Sequence, residues 1–185
     1  PLIDRAEDLG LTLTREGTVS QRAADSAAEA VGLPLWQLAM WLELAWSAGL
    51  MGPTSDAELL VPTLAGRVWA EQESAVAWPL LVVAWWHSQR DWAAFETVGE
   101  QRPSVLGESH QVSRIAAVRQ AWAEALAQVT PGGVVGNVAE VLADQHPLWG
   151  PEPLPELVSA CAQQAELLGV TGRKIAVGHL ADHVG

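Results

Sequence analysis

The chain has 185 residues, enough for one ordinary domain or two small ones, and its 49% apolar against 17% charged content excludes intrinsic disorder. Twenty-two acidic side chains against ten basic ones give a formal charge of −12, the wrong sign for a default phosphate-binding surface. A single cysteine, Cys161, excludes an internal disulfide framework and a cysteine-based zinc cluster, and suits a reducing cytoplasm.

The longest apolar run, Ala75 to Trp86, is twelve residues with Pro79 inside it, short of the roughly 20 needed to span a bilayer. No membrane association is expected. The start, Pro1 to Asp8, lacks the basic-then-apolar pattern of a leader and has no initiator Met, so we expect an internal segment of a larger protein.

In chain order, Leu11 to Thr14 alternates as a short strand, and Arg15 to Thr18 forms a turn. Ser20 caps a helix that Gly32 stops, with Ala23, Ala27, Ala28 and Val31 as its packing side. Pro34 opens a second helix through Ala48 whose only polar residues are Gln37, Glu43 and Ser47. A helix apolar almost all round is buried on several sides. Leu50-Met51 and Glu58 to Val61 then make a hairpin with a polar tip at Gly52–Ala57, and Thr63 caps the next helix. Residues 74–88 add an apolar helix in which Pro79 falls in the first turns, where it costs least.

Strand, helix, helix, hairpin, helix is the order of a winged helix, with Pro34–Ala48 in the recognition position and Gly52–Ala57 as the wing tip. Residues 98–110 are polar, carry Gly and Pro and lack a period, so they are expected to link two units. Beyond them Ile115, Val118, Trp122, Leu126 and Val129 recur at helical spacing. A short helix over Val135–Leu142, a helix over Pro155–Leu168, a hairpin over Gly169–Val177 and a terminal helix follow. The expectation is a mainly α chain of two winged-helix-like units, residues 1–97 and 111–185. Each carries a short hairpin, and the two pack through a Trp-rich seam.

No catalytic constellation emerges. His179 and His183 stand one helical turn apart but lack the Glu of a metalloprotease motif. Thr130 to Asn137 holds three glycines without a following Gly-Lys-Ser/Thr, and suits a helix-to-helix turn. Cys161 sits at helical spacing from Leu154, Leu157 and Leu168, as a core residue would. We expect no enzyme activity, no metal and no cofactor.

Duplex binding through the first unit is opposed by charge. Residues 1–100 carry 14 acidic against 5 basic side chains, the recognition-position helix bears Glu43 and no cation, and the wing carries Asp56 and Glu58. Only Arg173 and Lys174, adjacent in the second hairpin, offer a basic tip for nucleic acid. The ten Trp have two readings. They form a core with an inter-unit seam, or Trp36, Trp41, Trp85, Trp86 and Trp92 belong to an aromatic surface that docks a partner.

Several strings are similar to one family. Leu9-Gly10-Leu11, Leu44 to Met51, Val61-Pro62-Thr63, Trp69 with Glu71, Trp78 to Leu81 and Ala84-Trp85 followed by Arg90 resemble the helicase-associated proteins of actinobacteria. Ala165 to Arg173 does so as well. These large proteins carry a label relating them to the N-terminal domain of XPB-type helicases. The resemblance covers nearly the whole chain and implies an association with helicase or DNA-repair machinery. Its motifs are structural residues, so no catalytic residue is carried over, and no motor motif occurs in the sequence. The expected partner is the rest of the parent protein or another protein, with nucleic acid not favoured.

Overall fold

The computed structural model of the chain describes residues 2–90, 92, 95, 103–107, 113–127, 138–147 and 154–171. The described residues are mainly helical with one two-stranded antiparallel hairpin. The chain divides into two compact units, Pro1–Ser88 with Trp92–Gln111, and Gln89–Asp91 with Val112–Gly185. None of the described helices is long and apolar enough to cross a membrane.

Unit 1 begins with a single turn, α1 (Leu2–Arg5), and an extended segment around Leu11–Leu13. Helix α2 (Gln21–Val31) starts where the sequence places its cap: the Ser20 hydroxyl oxygen accepts the Ala23 N–H at 3.3 Å. It ends at Gly32, left-handed at φ 68°, where the Gly32 and Leu33 N–H groups return to the Glu29 and Ala28 carbonyls. Its buried side is Ala23, Ala24, Ala27 and Ala28, so α2 packs on the next helix through alanines.

Helix α3 (Leu35–Ser47) is the centre of the unit. From Leu38 to Ala45 every side chain except Trp41 is buried. Each fully buried Leu or Met contributes about 1.5–3 kcal/mol, so α3 is held by burial rather than by its caps. The expectation that Glu43 confronts phosphates from its surface is corrected: Glu43 is 4% exposed.

Strands β1 (Met51–Pro53) and β2 (Leu60–Pro62) pair in register Met51–Pro62, Gly52–Val61 and Pro53–Leu60. Leu11–Leu13 runs beside them, with Leu60 N–H donating to Leu11 C=O at 2.9 Å and Leu13 N–H to Glu58 C=O at 2.8 Å. The Thr63 hydroxyl then does two things. It donates to Gly49 C=O at 2.7 Å and accepts the Gly66 N–H at 3.0 Å, tying the start of α4 (Leu64–Ala70) to the end of α3. Gly66 lies so close to α3's exit that a Cβ there would sit 2.0 Å from the Leu50 carbonyl oxygen.

Helix α5 (Ser74–His87) follows, with Ala77, Leu81 and Trp85 buried. Pro79 stands in its second turn, not its first, and removes the N–H that the Ala75 carbonyl would accept. Ala75 is exposed, so water can serve that carbonyl.

Residues Trp92 and Pro103–Gly107, the latter inside the segment expected to link the units, belong to unit 1 and pack into it. Val19 N–H donates to Val105 C=O at 2.9 Å. Both oxygens of Glu43 accept from this stretch: Trp92 Nε1–H donates to Oε2 at 2.7 Å and the Leu106 N–H to Oε1 at 2.9 Å. Leu106 adopts φ 67°. That left-handed conformation costs a non-glycine residue about 1–2 kcal/mol, offset here by the bond to the buried carboxylate.

Unit 2 packs α6 (Ser113–Ala127), α7 (Val138–Gln145) and α8 (Leu154–Leu167) against one another. Ile115, Val118 and Trp122 form the buried stripe that their spacing predicts. Arg119 shares that stripe and is fully buried, as is Gln164 on α8 beside the buried Cys161. The expected second hairpin beyond Thr171, the terminal helix and the glycine-bearing turn at 130–137 lie outside the described residues.

Two substitutions test these anchors. Glu43→Gln should lower the unfolding free energy by about 1–3 kcal/mol in urea denaturation, because its amide N–H₂ would face one of two N–H donors. An unchanged midpoint would remove Glu43 from this role. Gly66→Ala should cost about 1–3 kcal/mol through overpacking against the Leu50 carbonyl, read as a drop in Tm.

Candidate functional site

Of the residues expected to form a partner surface, the structure separates the exposed from the enclosed. Trp36 and Trp41 on α3 are half-buried, and Trp86 on α5 is 39% exposed. Trp85 and Trp92 are fully buried and offer nothing to a partner, which corrects their assignment to that surface. The reasons differ. Trp85 lies on the inward side of α5 with Leu81, and Trp92 spends its N–H on Glu43. Arg173, Lys174, His179 and His183 lie outside the described residues, and Cys161 is a core residue of α8.

The most exposed apolar side chains of unit 1 are aliphatic and come from α4 and α5. Leu64 is 79% exposed and Val76 66%, and Val68, Leu80 and Val83 are exposed as well. Leu64 and Val68 stand at i and i+4 on α4. Val76, Leu80 and Val83 stand at i, i+4 and i+7 on α5, so each helix offers one stripe. The two stripes border a cleft of about 610 Å³ whose floor includes Ala48 and Leu50. A second opening along α5, past Leu80, Val83 and Ala84, continues to Ser47 and His87.

A smaller pocket of about 250 Å³, which shares Trp69 with the cleft, lies between α1, α3, β1, α4 and α5. Its floor is Ile3, Ala45, Met51 and Leu81, all buried, and its mouth is formed by the half-buried Leu33, Trp41, Trp69 and Trp78. The Trp41 and Trp78 rings are 5.5 Å apart between centroids and tilted by 51°. Trp69 donates its indole N–H to the Ala77 carbonyl at 2.8 Å.

Titratable chemistry is sparse at both places. Among the described residues no group of three His, Cys, Asp or Glu could hold a metal ion. Arg67 pairs with Glu7 at the surface, where such pairs contribute little. At the hairpin tip the Asp56 carboxyl is held below its ordinary value, first by the Thr54 hydroxyl at 2.5 Å and then by the Glu58 N–H. The tip is therefore acidic, as its sequence suggests. A depressed folded-state pKa stabilises the turn above the unfolded-state value, and this stabilisation is lost as pH falls through the folded-state value. Thr54→Val should raise the Asp56 midpoint toward the ordinary one in an NMR titration of its carboxyl carbon. An unmoved midpoint would assign the shift to another group.

No protein-family model, curated protein or solved structure matches the chain.

Proposed function

We propose that the chain is a non-enzymatic protein-interaction region of a helicase-associated, cytoplasmic protein linked to DNA metabolism. It docks the rest of its parent or another protein on the aliphatic surface of α4 and α5. The observation that carries this reading is the exposure of Leu64, Val68, Val76 and Leu80 along one cleft, with Val83 on the adjoining opening. Scattered exposed apolar residues need no explanation, but two helical stripes bordering a common cleft do. The helicase association rests on the sequence resemblance alone.

The order α2, α3, β1, β2, α4, with Leu11–Leu13 beside β2, supports a winged-helix reading of unit 1. The burial of α3 and the acidic tip favour a winged helix that holds protein over one that reads bases. The alternative, a nucleic-acid-binding module acting through the second hairpin, is supported by the adjacent cations Arg173 and Lys174. Charge reversal there should abolish any duplex binding on that alternative.

A photo-crosslinking residue at Val76 of the full-length parent should give a discrete protein adduct in cells. Leu64→Ser with Val83→Ser should remove that adduct while changing fold stability by no more than about 0.5 kcal/mol each, as surface substitutions do. An adduct that survives both changes would refute the surface. Submicromolar, salt-sensitive binding of a duplex in an anisotropy titration would refute the protein-docking reading as a whole.

A further inference from the structure

We infer that the Trp-mouthed pocket of unit 1 is a binding site for a neutral, apolar small molecule about the size of two fused rings. This site adjoins, through Trp69, the cleft of the aliphatic surface on which the proposed partner docks, and its other lining residues differ. Three observations carry it: volume, the chemistry of the walls, and access.

The volume of about 250 Å³ exceeds the roughly 150 Å³ of an engineered apolar cavity that takes up benzene. A single ring would leave part of the space empty, and a bicyclic or short branched hydrocarbon fills it. The walls then set polarity. Ala45, Leu81 and Leu33 carry no hydrogen-bonding group, and the Met51 thioether is a weak acceptor that adapts to irregular shapes. The Trp69 N–H is already committed to the Ala77 carbonyl. Apart from the indole N–H groups at the mouth, nothing in the lining replaces the hydration that a charged or strongly polar ligand would shed.

Access follows from burial. The floor is enclosed, whereas Leu33 and the three indoles at the mouth keep part of their surface in water. The inclined pair Trp41 and Trp78 presents ring surface on one side of the opening, suited to edge or offset contact with an aromatic ligand. Such contacts are sensitive to ligand shape more than to ligand charge.

The test uses 1-naphthylamine, a neutral bicyclic probe whose emission shifts to the blue in apolar surroundings. The wild-type chain should bind it saturably, with one probe per chain. Ala45→Phe, which fills the pocket from α3, should weaken binding by about tenfold or more, equivalent to about 1.4 kcal/mol. Leu33→Trp narrows the same mouth from a half-exposed position and should weaken binding too, which keeps the test open should Ala45→Phe fail to fold by circular dichroism. Val76→Ser, on the aliphatic surface, should leave the affinity unchanged. Absence of saturable binding would overturn the inference. So would binding that folded Ala45→Phe and Leu33→Trp chains retain, or binding lost in Val76→Ser, which would move the probe to the partner surface.

Discussion

A carboxylate taken out of water is tolerated only where its oxygens are occupied, and unit 1 is organised around meeting that condition for Glu43. The residue sits in the middle of a helix whose neighbours are Leu42 and Leu44, both fully buried. Its two oxygens reach across to an indole N–H and a backbone N–H that arrive much later in the chain. That requirement recruits Trp92 and the 103–107 stretch into the unit and holds Leu106 in a left-handed conformation. Hydrophobic burial supplies most of the stabilisation. The carboxylate ties Trp92 and Leu106 to α3 through two donated hydrogen bonds.

How much of this was legible in the sequence depends on distance along the chain. Ser20, Gly32 and Thr63 act on groups within a few residues, and their capping roles follow from local rules. The hairpin and the Ile115, Val118, Trp122 stripe are local in the same sense. Glu43 is 49 and 63 residues from its partners, and no periodicity announces a contact of that length. Arg119 hides for a related reason: a charge on an apolar stripe looks like an exception until the fold encloses it.

The tryptophans illustrate a different limit. At about 100° per residue, a five-residue spacing carries Trp36, Trp41 and Trp46 most of the way round α3, so composition could not say which face was wet. Helix α5 is apolar on every side, leaving no polar stripe to mark its outer surface. The aliphatic surface of α4 and α5 therefore has no signature in the sequence. The aromatic side chains turn out to serve three purposes: Trp85 and Trp92 fill the core, Trp41, Trp69 and Trp78 edge a pocket, and Trp46 and Trp86 remain partly in water.

The close approach of Gly66 to the Leu50 carbonyl sets more than a local contact. It fixes the rotation of α4 about its own axis. Leu64 and Val68 lie two positions to either side of Gly66, which puts them on the far side of the helix. Whatever occupies those two positions must face outward as long as the glycine faces in. Polar side chains there would satisfy the fold equally well. The outward Leu and Val are therefore a choice the packing of unit 1 does not impose.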